Sequence, residues 1–174
     1  GDVISVDATC TSLADGSGDD WNSITAWGPT ALLPVFQLLG TDYKDKNINS
    51  LLLDSAENFD LFTKIDFTYQ NAVSSVKVGK GVKSEGELII SGTKGYVYVP
   101  APWWKTDYFE IRFENQNENK KYFYQLDGEG IRYELVAFIK SIELNKTGSY
   151  IDINISKEIS SVMEDFNNNK FNNL

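Results

Sequence analysis

The side chains best suited to hold a ligand in this sequence are three tryptophans and two cations. Trp103, Trp104 and Lys105 directly follow the stiff Pro-Ala-Pro segment 100–102, whereas Trp27 and Arg132 lie far away in sequence. Aromatic faces with a nearby cation favour a polyol or a nucleotide-sugar phosphate as the ligand. The guanidinium of Arg132 can also hold a phosphate or a carboxylate through two parallel hydrogen bonds.

Each of these residues also has a purely structural interpretation. One tryptophan of the Trp103–Trp104 pair would pack in the core while Lys105 is solvated, and the sequence does not separate this alternative from ligand binding. For Arg132, a surface salt bridge to Glu129 or Glu134 is the favoured interpretation.

The residues that usually carry acid–base and metal chemistry are sparse. The sequence contains no histidine, which removes the commonest general base, the Ser-His and Cys-His pairs and the commonest zinc ligand. The acidic loop with Asp15, Asp19 and Asp20 lacks the spacing and the terminal glutamate of a calcium loop. We therefore predict no catalytic residue and no metal site in this chain.

The two glycine-rich segments do not form a nucleotide-binding motif. Gly79-Lys80-Gly81 has Ser84 where the third glycine of G-x-G-x-x-G would stand, and the segment leads into a strand. Gly128 and Gly130 precede a predicted helix, but no parallel strand with a crossover follows them. A turn that caps the helix is the better explanation, so no cofactor-binding residue is predicted.

The overall composition is that of a globular domain. The chain has 174 residues, of which 41% are hydrophobic and 24% are charged, and its formal net charge is −9. This charge repels phosphate backbones and argues against a nucleic-acid partner. The single cysteine, Cys10, excludes an internal disulfide, and no run of about 18 apolar residues suggests a membrane span. We expect a cytoplasmic protein.

Alternating apolar and polar residues predict most of the fold. The alternation is clear in the segments 3–11, 61–69, 72–78, 109–113 and 122–126. Because short polar turns join most of these strands, the pairing must be mostly antiparallel. The sequence predicts an α+β fold, with an open, mostly antiparallel β-sheet and helices packed on one face. The other face would be solvated or would pair with another subunit.

Three helices are expected. The first lies within 27–39 and ends at Gly40; Thr30 is its N-cap, or else the helix kinks at Pro34. The second carries apolar residues at helical spacing through 131–142, a stripe that would face the core. The third covers 159–166, and the Asn-rich tail 167–174 is expected to fray.

The segment 87–100, ELIISGTKGYVYVP, resembles the Gly-Thr-Lys-Gly hairpin of the glucose–fructose oxidoreductase and inositol dehydrogenase family (Gfo/Idh/MocA). The order of the segments is also similar to the C-terminal domain of that family. It comprises the opening strand at 1–6, a helix that ends at Gly40, a meandering sheet and a helix at 132–139. The resemblance covers residues 1–166.

The resemblance implies a single substrate-binding and dimerisation domain at 1–166, which would be inactive alone. In the family a preceding Rossmann domain, absent from these residues, binds NAD or NADP and carries the lysine that assists proton transfer. The resemblance implies a sugar-type substrate and a homodimer formed through the open sheet face.

This sequence departs from the family pattern Asp-x-Gly-x-His at the first helix. The corresponding positions are Ala26 and Thr30, and of the motif only Gly28 is retained. Ala26 cannot ionise, and Thr30 is a poor general base at neutral pH, although it remains a candidate for substrate binding. Two alternatives stay open: an oxidoreductase that acts through groups outside this chain, or a non-catalytic module that binds a saccharide or a protein.

Overall fold

The computed structural model describes residues 1–13, 22–54, 59–125, 128, 130–145 and 150–173. Within these residues the strands are β1 (Val3–Ser12), β2 (Asp45–Asp54), β3 (Phe59–Thr68), β4 (Val73–Lys80), β5 (Leu88–Gly92), β6 (Tyr96–Val99), β7 (Tyr108–Arg112), β8 (Lys120–Phe123) and β9 (Asn172–Asn173). The α-helices are α1 (Ser23–Leu39), α2 (Ile131–Glu143) and α3 (Ile153–Asn167). A short 3₁₀ turn, Gln116–Glu118, joins β7 to β8.

All the described strands belong to one sheet, in the order β8-β7-β6-β5-β1-β4-β3-β2-β9. The pairs are antiparallel except for β1 with β4 and β2 with β9, which are parallel. The parallel β1–β4 pair is possible because α1 and the β2–β3 hairpin lie between the two strands in sequence and supply the crossover. The predicted mostly antiparallel sheet is confirmed.

The hydrophobic core lies between one face of this sheet and two helices. Helix α1 packs on β1, β3 and β4, and α3 packs on α1. The fully buried core side chains come from these five elements and include Val6, Ala8, Cys10, Ile24, Leu32, Val35, Phe36, Ile65, Phe67, Val76, Val78, Val162 and Phe166. The predicted α+β layout, with helices on one face, is therefore confirmed.

Helix α1 begins earlier than the sequence indicates. Its N-cap is Asn22, whose side-chain Oδ1 accepts a hydrogen bond from the Thr25 backbone N–H at 2.8 Å. Thr30 is therefore an interior residue of the helix and not its N-cap, and the predicted start at 27 is wrong. The helix ends as predicted at Gly40, which has φ of +80° and donates its N–H to the Phe36 carbonyl.

Helix α2 does not face the core, contrary to the prediction from its apolar stripe. It has no buried residue, and no described element packs extensively against it. The predicted helix is present, but an apolar stripe shows only that a helix has a face to cover. It does not identify the surface that covers it.

The C-terminal segment is also more ordered than expected. Instead of fraying after residue 166, the chain turns back, and Asn172–Asn173 forms β9 beside β2. The Phe171 ring stacks on Phe166 with centroids 4.8 Å apart, and this contact anchors the segment to the core. Helix α3 starts at Ile153 with Asp152 as its N-cap, earlier than the predicted 159. No helix in the described part of the chain is long and apolar enough to span a membrane.

Candidate functional site

Three of the predicted ligand-binding residues form one aromatic cluster. The ring centroids of Trp27, on α1, and Trp104, in the loop after β6, are 4.8 Å apart with an interplanar angle of 50°. Trp103 packs edge-on against Trp104, with 6.0 Å between centroids and an angle of 88°. Trp27 and Trp104, 77 positions apart in sequence, are thus in contact.

Hydrogen bonds and a close contact with Gly86 position this cluster. Trp27 Nε1 donates to Ser12 Oγ at 3.1 Å, and the Trp103 backbone N–H donates to the Gly86 carbonyl at 2.9 Å. The Trp104 ring lies directly on Gly86, where an added Cβ would be 3.1 Å from two ring carbons. The Lys105 backbone N–H donates to the Pro102 carbonyl at 2.8 Å and closes the turn that carries both tryptophans.

The cluster is partly a core feature. Trp27, Trp103 and Trp104 are all half-buried and pack against the hydrophobic core, whereas Lys105 is exposed. The Trp103 indole N–H is buried and faces the Cys10 thiol without a well-aligned hydrogen bond. The core-packing interpretation thus applies to part of each ring, and ligand binding by the remaining surface stays a prediction.

The thiol of Cys10 is not a nucleophile. Burial raises the pKa of Cys10 to about 12, and the neighbouring Trp103 side chain opposes that rise only weakly. The thiol is therefore protonated at neutral pH. Cys10 contributes to this region as a small buried side chain.

The other two candidates are placed differently. Thr30 follows Trp27 by three residues on α1, so both lie on adjacent turns of one helical face, and Thr30 is half-buried. Arg132 is exposed at the start of α2, a helix that does not pack extensively on α1 or the sheet. Glu129, one of its two predicted salt-bridge partners, lies outside the described residues, as does the acidic loop with Asp15, Asp19 and Asp20.

No protein-family model and no curated protein matches this sequence. Solved structures do match the fold. The UDP-N-acetylglucosamine 3-dehydrogenase GnnA from Acidithiobacillus ferrooxidans superposes with a TM-score of 0.76 at 12% identity, over 94% of this chain and 52% of that chain. The 3-ketoreductase KijD10 from Actinomadura kijaniata, in complex with NADP and TDP-benzene, has a TM-score of 0.72 at 11% identity, over 91% of this chain and 50% of that chain.

Both enzymes are sugar oxidoreductases of the Gfo/Idh/MocA family. This chain has the fold of the Gfo/Idh/MocA C-terminal domain. The resemblance seen in the Gly-Thr-Lys-Gly hairpin and in the order of segments is confirmed at the level of the fold. The chain spans about half the length of the solved structures that it matches.

In this domain, a buried carboxylate that the sequence analysis missed holds the start of α1. Asp60, on β3, is fully buried and accepts a hydrogen bond from the Ser23 backbone N–H at 2.7 Å. The hydroxyls of Ser23 and Thr63 also donate to this carboxylate, and Thr63 is 2.7 Å from the Ser50 hydroxyl. A carboxylate at a helix N-terminus stabilises the helix. Because Asp60 is fully buried, it cannot contact a substrate.

Asp60 was missed because of a change in strand register. By alternation from 61–69, Asp60 belongs to the solvent face, together with Lys64 and Asp66. The pairing of β2 with β3 shifts between Leu51 and Leu52, a β-bulge after which Asp60 points to the helix side. The one available signal was an acidic residue between apolar neighbours.

The described residues contain no group of three or more metal-ligating side chains.

Proposed function

We propose that this chain is the substrate-pocket and oligomerisation domain of an NAD(P)-dependent oxidoreductase that acts on a sugar or a sugar derivative. The observation that carries the proposal is the fold match, which extends over more than nine-tenths of the chain to half of a 3-dehydrogenase and half of a 3-ketoreductase. NAD or NADP would bind to a separate domain, as no nucleotide motif is present in these residues.

In this proposal the tryptophan cluster forms one wall of the sugar pocket. The exposed parts of Trp27 and Trp104 would stack on the apolar face of a sugar ring. Thr30, one turn from Trp27, would donate to a hydroxyl, and Lys105 would meet a phosphate of a nucleotide sugar. Arg132, on a different element, has no assigned role in this pocket.

The domain alone would be inactive. Of the predicted site residues, the two that could move a proton are Thr30, whose hydroxyl is too weak an acid and base, and the exposed Lys105. Asp60 is buried and occupied by hydrogen bonds, and Cys10 stays protonated. Proton transfer and the hydride acceptor would therefore come from the cofactor-binding domain.

We further propose that the open face of the sheet forms a homodimer in the cytoplasm. This face carries both signs of charge, for example in the Lys64–Asp66 ion pair. A mixture of opposite charges suits pairing of a surface with its own copy. Sedimentation of the natural polypeptide should give twice its monomer mass; a monomer at micromolar concentration would contradict the dimer.

The enzymatic proposal is tested on the natural polypeptide in full. NADPH and NADH are titrated by fluorescence, and their oxidation is then followed with keto-sugar nucleotides, with free sugars as the control substrates. We expect cofactor binding and turnover that depends on the nucleotide sugar. A polypeptide that binds neither cofactor would exclude this function.

A second candidate is a non-catalytic module that binds a saccharide or a protein. Ala26 and Thr30 favour it, since neither residue supplies the carboxylate or imidazole of the family pattern at the first helix. A glycan array and a pull-down, both without cofactor, distinguish this candidate. Binding in either assay together with no cofactor binding would support it over the oxidoreductase.

A further inference from the structure

Helix α2 exposes a continuous apolar stripe. Its members are Ile131, Leu135, Phe138, Ile139 and Ile142, and each is between 52% and 65% exposed. Their spacing, with intervals of three and four residues, places them on one face of the helix. Next to α2 in sequence, at the end of β8, Phe123 and Tyr124 are also more than half exposed.

This stripe needs a covering surface. A 13-residue helix is marginal in water by itself, and most helix stability in proteins comes from packing of the apolar face. None of the described elements packs extensively on α2. The surface that covers the stripe therefore comes from outside the described residues.

The polar side of α2 argues against a membrane as this surface. Helices that lie on lipid carry lysines and arginines on the polar face and bind anionic headgroups. Here Arg132 and Lys140 are balanced by Glu134 and Glu143. The helix therefore has no net positive charge to bring it to a bilayer.

The size of the stripe separates a tethered domain from a second copy of the chain. A helix face about 20 Å long and 10 Å wide has a footprint of about 200 Å², and because side chains corrugate that face it buries roughly twice this accessible area, on the order of 400 Å², on each side. The total, roughly 800 Å², is below the roughly 1,200–2,000 Å² of a stable complex between free chains. It falls within the roughly 600–1,500 Å² of domain interfaces inside one chain, where the tether supplies a high local concentration.

We infer that the apolar stripe of α2 is the docking surface for the dinucleotide-binding domain of the same polypeptide. This inference rests on the proposed oxidoreductase function and on the matched structures, which are about twice as long as this chain. The side chains Leu135, Phe138 and Ile142 would be buried against that domain. Helix α2 would then tie the cofactor-binding half to the β8 edge of the sheet.

The test is hydrogen exchange of the natural polypeptide, read at the amides of 131–143. The variant Phe138→Glu puts a charge in the stripe, and Leu53→Glu is the matched control because Leu53 is 63% exposed on β2. We expect slow exchange in the wild-type protein, at least tenfold faster exchange of α2 in Phe138→Glu, and no change in Leu53→Glu. Unchanged exchange in β1 and β4 shows that the fold is intact, and Ile142→Ser serves if Phe138→Glu unfolds.

Cofactor titration of the same samples separates this inference from the proposed function. If NADPH binds and α2 exchanges fast in the wild-type protein, the docking inference is overturned and the function stands. If neither cofactor binds, the proposed oxidoreductase function is wrong, and a dinucleotide-binding domain cannot be what covers α2. Protection of α2 that rises with protein concentration would mean that a second copy covers the stripe and would also overturn the inference.

Discussion

The indole N–H of Trp27 donates to the hydroxyl of Ser12 across 3.1 Å, which ties the second turn of α1 to the last residue of β1. We expect Trp27→Phe and Ser12→Ala each to lower the free energy of unfolding by about 1 kcal/mol, the usual net contribution of a hydrogen bond. Urea denaturation of the two single variants and the double variant measures the coupling. If the hydrogen bond matters, the double variant is less destabilised than the sum; strict additivity would show that the bond contributes nothing.

Trp104 should matter for the substrate more than for the fold of the sheet. In the natural polypeptide we expect Trp104→Ala to raise KM for a nucleotide sugar about tenfold with little change in kcat, since stacking on a ring is worth about 1 kcal/mol or slightly more. Trp104→Phe should keep most of the affinity because it keeps an aromatic face. Tyr150→Ala, at an exposed aromatic outside both the cluster and the α2 stripe, is the control. An unchanged KM in Trp104→Ala would remove the cluster from the pocket.

Among the carboxylates that the structure describes, Asp60 should be the one whose loss destabilises the domain most. We expect Asp60→Asn to destabilise the domain by about 2–4 kcal/mol, because the buried donors of Ser23 and Thr63 lose their charged acceptor. The matched control is Asp66→Asn, on the same strand, whose ion pair with Lys64 is solvent-exposed and worth less than about 1 kcal/mol. Thermal and urea unfolding compare the two variants. Equal effects would contradict the anchoring role of Asp60.

The stability of the domain should fall in acid partly through Asp165. Hydrogen bonds from Lys170 and Lys46, at 2.8 and 2.5 Å, hold the pKa of the Asp165 carboxyl below its usual value. A carboxylate with a lowered native pKa stabilises the fold above its unfolded pKa, near 3.9. This contribution disappears as the pH falls through the native pKa.

Asp165→Asn is therefore expected to cost about 1 kcal/mol at pH 7 and to have a smaller cost near pH 3. The measurement is urea unfolding of both proteins across this pH range, with the exposed carboxylate variant Asp42→Asn as the control. A cost of Asp165→Asn that did not shrink in acid would assign the effect to packing and not to charge.

Most strands of this fold could be predicted from the sequence alone. Alternation in 61–69 and 109–113 depends only on the two-residue period of an extended backbone, so it is visible without knowing any partner. The end of α1 at Gly40 could also be predicted from the local sequence, because glycine adopts a positive φ more easily than other residues. The hairpin at 87–100 and the order of segments indicated the family fold before any comparison.

Only the tertiary structure decided where Asp60 points, that the described elements leave α2 uncovered, and which tryptophans meet. The register shift that buries Asp60 depends on how β2 pairs with β3, and the contact between Trp27 and Trp104 depends on how α1 lies across the sheet. Both are relationships between distant segments, whose free energy comes from packing and is not encoded in any local period. For α2 the sequence determined an apolar face, and the structure shows that the described elements leave this face exposed.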